Sequence, residues 1–152
     1  MPTIEVRNPT VADWSAWQRM WSANCAYQGV SIPEADDREL WRRIMDPNHA
    51  VGALVCSAAD FEGMPVGLAH YVLHPHTFSA SMVCYLEDLW VEPPARRAGI
   101  GHALIDALVA RGRDKGWRRV YWHTEADNVA GRALYDRIAR PTNYVRYDIA
   151  LP

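Results

Sequence analysis

Cysteine is scarce in this chain: the 152 residues hold three, Cys25, Cys56 and Cys84, far apart and each inside an apolar run. No Cys-x-x-Cys pair occurs, so no disulfide framework is expected, and buried free thiols point to a reducing, cytoplasmic compartment. An excess of one charge is lacking too. With 16 basic and 18 acidic residues the formal charge is -2, which gives no electrostatic case for nucleic acid or an anionic membrane as a partner. No apolar run reaches the length of a membrane span, and the Met1 to Glu5 stretch does not read as a signal peptide. Repeats, low-complexity segments and linkers are absent, so 1–152 reads as a single domain. A chain of this length buries roughly 70% of its unfolded surface. Tryptophan, by contrast, is abundant: seven copies imply aromatic packing or an aromatic-lined cavity.

The stretch from Tyr85 to Leu104 is the most informative. Strand formers run from Met82 to Val91 and stop at Pro93-Pro94, which cannot donate to a sheet ladder. Arg96, Gly99 and Gly101 follow in the spacing Arg-x-x-Gly-x-Gly, and an apolar pattern of helical period begins there. A strand that turns through glycines into a helix builds an anion site. Helix-start N–H groups point outward, the dipole favours negative charge, and glycines admit a close approach. The expected guest is a phosphate or pyrophosphate, with the rest of the chain positioning a second substrate against it.

Periodicity predicts the order β-α-α-β-β-β-α-β-α-β, an α/β mixed sheet with helices on both faces. Thr3 to Arg7 alternates as a first strand. Trp14, Trp17, Trp21 and Cys25 recur at helical spacing on a helix ending near Gly29; the stripe reads as core, with Tyr27 at the end where it can turn toward a cleft. A second helix turns Leu40, Trp41, Ile44 and Met45 inward. Its first-turn acids Glu34, Asp36 and Asp37 either cap and solvate the helix or form a negative lip for a cationic substrate. Ala50 to Ser57 and Val66 to His74 read as strands. His74 and His76 have no third ligand nearby, so no metal is expected. Met82 to Val91 and Arg119 to Thr124 flank a helix that ends at Gly116 and should be parallel neighbours. Asp127 or Asn128 caps a helix running to Ala139, and Tyr144 to Leu151 alternates as a last strand, open to sharing with a partner chain.

Two side chains suit acid–base work. Strict alternation puts Glu87, Leu89 and Val91 on one face of the phosphate strand and Asp88 and Trp90 on the other. A carboxylate among apolar neighbours beside a cofactor turn is either a general base with a raised pKa or a strand-end acid in a surface salt bridge. Tyr135, about two turns into the Asn128 helix, is either a proton donor or packing beside Leu134. No cysteine is placed with a histidine and an orienting acid, so no covalent intermediate is expected.

Together these features resemble the GNAT superfamily of acetyl-CoA-dependent N-acetyltransferases. Arg96-Arg97-Ala98-Gly99-Ile100-Gly101 matches its pyrophosphate signature, Gln/Arg-x-x-Gly-x-Gly/Ala, and Asn128 followed by Arg132-Ala133-Leu134-Tyr135 matches its second cofactor motif. Tyr85-Leu86-Glu87-Asp88-Leu89-Trp90-Val91 is similar to the spermidine/spermine N-acetyltransferase branch. The chain departs from that branch at Tyr27-Gln28, where a Tyr-Glu pair is usual, and at Thr142-Asn143-Tyr144, which replaces a Gly-Phe. The resemblance implies a GNAT fold and direct attack of an amine on the acetyl thioester in a ternary complex, with no metal. It implies that Leu89, Trp90 and Val91 pair with the pantetheine arm. Arg96, Arg97, Ala98, Gly99, Ile100, Gly101 and His102 would hold the pyrophosphate, and Asn128, Ala130, Gly131 and Tyr135 would line the other side of the cofactor. Glu87 would accept the amine proton, Tyr135 would protonate the departing thiolate, and Tyr27, Gln28 and Glu87 would line the amine site. The implied acceptor is a small cationic primary amine: a polyamine, a lysine-like amino acid or an aminoglycoside-like base. The alternatives are a protein lysine or N-terminal amine, or a non-catalytic acyl-CoA-binding regulatory protein. A homodimer is implied as well.

Overall fold

The computed structural model describes residues 3–152; Met1 and Pro2, which open the stretch weighed above as a signal peptide, lie outside the described residues. The chain divides into two compact units, one reaching to Trp122 and one comprising His123–Pro152. The first is built on a mixed sheet of β1 Ile4–Arg7, β2 Val51–Ala58, β3 Pro65–Pro75, β4 Met82–Val91 and β5 Val120–Tyr121, side by side in that order. The first four strands pair antiparallel, while β4 and β5 run parallel, as the intervening helix requires. Helices α1 Trp14–Tyr27 and α2 Glu34–Met45 cover one face of the sheet and α3 Ile100–Lys115 the other. No helix among the described residues is long and apolar enough to cross a membrane.

The tryptophan stripe is core. Trp17, Met20, Trp21 and Cys25 of α1 pack on Ala53, Val55, Leu68 and Trp90 of the sheet, with Trp14 and Trp41 closing the cluster. On the opposite face Gly67 brings α3 directly onto β3. A Cβ there would lie 2.5 Å from Ile100 Cγ2, an overpacking that costs about 1–3 kcal/mol. Gly116, at φ 74°, ends α3 in the left-handed conformation that glycine adopts without a steric penalty. The entrance to α1 is clamped to β1: Arg7 donates two hydrogen bonds, of 2.7 and 3.0 Å, to the Asp13 carboxylate. Those bonds hold the Asp13 carboxyl below its ordinary range.

The second unit contains α4 Val129–Ile138. Asn128 caps it, accepting from the Gly131 N–H at 3.0 Å and donating to Thr124 Oγ1 at 2.8 Å. Two strands differ from the sequence reading. β5 stops at Tyr121 rather than Thr124, because it pairs with β4 only at Cys84 and Tyr85. Tyr144 to Leu151 forms no strand: among the described residues it has no ladder partner, and its apolar side chains are exposed.

Candidate active site

A sheet edge opens where β4 outruns β5. β4 continues to Val91, but its parallel pairing ends at Tyr85↔Tyr121, so Leu86 to Val91 are paired on the β3 side alone. Alternate N–H and C=O groups of that segment therefore face away from β3 with no strand pairing them among the described residues, at the residues (Leu89, Trp90, Val91) expected to bind pantetheine amides. An extended chain carrying amides suits such an edge.

The strand then runs into the glycine turn. Pro93–Ala95 form a short 3-10 turn, after which Arg97 and Gly99 both adopt positive φ, 65° and 83°. Two left-handed residues so close together fold the backbone into a concave nest of N–H groups. Gly99 caps α3, and its carbonyl takes the first helical hydrogen bond, from Ala103 at 2.9 Å. The N–H groups of Ile100, Gly101 and His102 precede that bond and have no helical acceptor. A Cβ at Gly99 would meet nothing within 4 Å, so the space over the turn is open to a guest. These residues fit the diphosphate of a coenzyme A ester. Arg96 is turned back to the strand: its Nε donates to the Val91 carbonyl at 2.9 Å and its guanidinium lies 4.9 Å from the Trp90 ring. Arg97 and Ala98 are exposed on the turn.

Glu87 occupies a β-bulge. His70 pairs with Asp88 and Tyr71 with Leu86, leaving Glu87 as the extra residue. Above the bulge the expected alternation holds, Asp88 and Trp90 sharing a face with His70 and Leu68 while Leu89 and Val91 share the other with Ala69 and Gly67; the bulge interrupts it at Glu87, so that Leu86 shares a face with Tyr71. Glu87 is exposed as a residue, yet desolvation of its carboxyl raises its pKa, with the Asp88 charge adding to the rise. Asp88 is held from below. Trp17 Nε1 donates to His70 Nε2 at 2.9 Å, and His70 Nδ1 lies 3.0 Å from Asp88 Oδ2. This buried chain was not among the sequence candidates; its trace in the sequence is one histidine inside an apolar strand, where a polar group must find partners.

The remaining candidates divide by unit. Tyr27, at the end of α1, is exposed with its ring 6.1 Å from Trp90, and Gln28 caps the helix. Of the acidic trio on α2, Glu34 is paired with Arg38 at 2.7 Å and Asp36 is exposed, while Asp37 is buried. The His74 nitrogens engage the Pro75 carbonyl at 2.9 Å and the Tyr121 hydroxyl at 2.8 Å. Asn128, Ala130, Gly131 and Tyr135 belong to the second unit, where burial raises the pKa of the half-buried Tyr135 phenol. The cysteines are free and buried, Cys56 pushed up to about 11 and Cys84 to about 12 by desolvation, which leaves both as thiols at neutral pH.

Comparison with known proteins adds a family. The acetyltransferase (GNAT) family model matches residues 16–139. The D-amino-acid N-acetyltransferase HPA3 of Saccharomyces cerevisiae is 33% identical over 137 residues, spanning 89% of this chain and 83% of its own. The aminoglycoside N(6')-acetyltransferase type 1 of Stenotrophomonas maltophilia is 32% identical over 144 residues, spanning 88% and 82%. Among solved structures, the aminoglycoside N-acetyltransferase AAC(6')-Iy in complex with a CoA-linked bisubstrate analog shares the fold. It has a TM-score of 0.83 at 18% identity and covers 99% of both chains.

Proposed function

The chain belongs to the GNAT acetyltransferase family and is an N-acetyltransferase; from that premise we propose that it moves an acetyl group from acetyl-CoA to a primary amine on a small cationic molecule. One observation carries the reading: a single strand, β4, has a carboxylate at its bulge, an unpaired edge beyond it, and an anion-binding turn at its end. An acid suits a cationic acceptor, and the turn suits the donor's diphosphate.

Acetyl-CoA supplies the activated thioester. Leu89, Trp90 and Val91 offer backbone partners to its pantetheine arm, and the turn from Arg96 to His102 holds its diphosphate. Asn128, Ala130 and Gly131 line the rest, with Tyr135. As the amine nitrogen bonds to the acetyl carbon and the C–S bond breaks, Glu87 accepts the nitrogen's proton and Tyr135 donates one to the sulfur. Tyr27 and Gln28 border the amine. The Tyr85 to Val91 stretch supports a polyamine or lysine-like acceptor; the name of one relative favours the aminoglycoside-like base already expected, and that of the other adds D-amino acids as a class to test.

The test is a thiol-release screen with acetyl-CoA over polyamines, aminoglycosides, D- and L-amino acids and lysine peptides. Turnover confined to small cationic amines is the expected result. Turnover on peptides alone would transfer the reading to a protein acetyltransferase, and no turnover with tight acetyl-CoA binding would favour an acyl-CoA-binding regulator. We further propose a cytoplasmic homodimer, supported by three buried free thiols and by an apolar C-terminal segment left exposed in the single chain.

A further inference from the structure

His70 is buried at 2% exposure in β3, and the proposed reaction does not use it. Its ring nitrogens have partners of opposite kind. The Trp17 indole N–H can only donate, so His70 Nε2, 2.9 Å away, is an acceptor and carries no hydrogen. The ring hydrogen is therefore on Nδ1, directed at Asp88 Oδ2 3.0 Å away. Trp21 packs edge-on against the same imidazole at 4.8 Å and Trp17 at 6.0 Å, so the ring cannot turn over inside the core. At the far end of the chain, the Asp88 side chain is 25% exposed, and only its Oδ2 is hydrogen-bonded among the described residues.

We propose that Trp17 and His70 are positioning residues that hold Asp88 as a fixed anion next to Glu87, so that Asp88 binds the cationic amine while Glu87 takes its proton. The inference rests on the proposed role of Glu87. The His70 Nδ1 hydrogen directed at Oδ2 fixes the orientation of the Asp88 carboxylate, and the Asp88 charge adds to the rise that desolvation gives the Glu87 pKa. The other titratable groups facing this cluster are the Cys25 thiol on α1 and the Asp37 carboxyl on α2. The Cys25 pKa is raised by burial first and then by the charges of Asp37 and Asp88.

The test starts with NMR on the protein without substrate. Expected are a pyrrole-like Nδ1 and a pyridine-like Nε2 for His70, and a Glu87 carboxyl whose titration moves to lower pH in Asp88→Asn. Kinetics then use the best amine of the screen. His70→Leu should raise the amine KM about tenfold, the scale of one hydrogen bond to a charged group, with a much smaller change in kcat. His70→Gln, which presents the same acceptor and donor on one amide, should recover most of that loss. The opposite tautomer, a Glu87 titration indifferent to Asp88→Asn, or a Gln variant no better than Leu would each overturn the proposal. Acetyl-CoA affinity should be unaffected throughout. A screen without turnover would remove the proposed reaction, and the NMR results would still decide the Asp88 anchor.

Discussion

A carboxylate serves as a base for an alkylamine only when its own pKa has been brought up toward that of the proton it removes. At Glu87, desolvation supplies most of the rise and the Asp88 charge the rest. The same rise has a thermodynamic sign. A folded-state pKa above the unfolded value means that the stabilising contribution is full below the unfolded pKa and is lost as pH climbs through the folded one. Ionised Glu87 is thus tolerated at neutral pH for function, at some cost to the fold. Glu87→Gln is expected to keep or raise the melting temperature at neutral pH. It should also lower kcat/KM by about 10²-fold and abolish the acid limb of the pH–rate profile. Melting curves and a pH–rate series on one preparation check both halves. Tyr135 carries the complementary expectation. Burial raises its pKa and keeps the phenol protonated, as a donor requires, so Tyr135→Phe should cut turnover by about 10²-fold. Acetyl-CoA affinity measured by calorimetry should stay within about twofold of the parent; unchanged turnover would remove Tyr135 from the reaction. Both candidates could be named from the sequence because each sits at a set distance from a motif. The Trp17–His70–Asp88 chain was not: its links span 53 and 18 positions, so no local pattern announces them.

Among the elements, the turn into α3 makes the strictest demand on sequence. Gly99 has φ 83° and open space above it, so the backbone conformation and the guest, rather than protein packing, require glycine there. Gly99→Val forces a β-branched residue into the left-handed region, a strain of about 1–3 kcal/mol, and puts methyl groups where the diphosphate approaches. The expected outcome is a folded protein with a modestly lowered melting temperature and no measurable acetyl-CoA binding. Normal affinity in calorimetry would sink the assignment of this turn. The same scale shows why the sequence predicted most elements closely and, besides the last strand, missed two details. Hydrophobic period and proline or glycine stops are local signals, and β4, α2 and the Gly116 end of α3 follow them. The bulge at Glu87 depends on how β3 registers against β4, and the early end of β5 on where its pairing with β4 stops; neither is a property of one segment.

For the molecule as a whole, the unsettled part is its C-terminal end. Val145, Tyr147, Ile149 and Leu151 recur at every second position and are 74–91% exposed, while Arg146 and Asp148 pair at 2.8 Å across the alternate positions. That is the side-chain pattern of a strand with one apolar face, yet it forms no ladder among the described residues. Such a segment leaves its apolar side chains to water, and pairing at a strand edge is the usual remedy. A second copy of the chain offers the same apolar face in a symmetric arrangement, so one contact can cover both tails. Burying a side chain such as Ile149 or Leu151 contributes about 1.5–3 kcal/mol, enough over four positions to offset the entropy of ordering a short tail. The full chain is therefore expected to run as a dimer in light scattering at about 10 µM, where mass action favours the associated form. Removing residues 140–152, or replacing Tyr147 and Ile149 together by lysine, should give a monomer. A monomeric parent protein would rule out the homodimer, and a truncated chain that remained dimeric would place the interface elsewhere. Because the lysine pair keeps the backbone and changes only the apolar face, it separates loss of side-chain burial from loss of the strand itself.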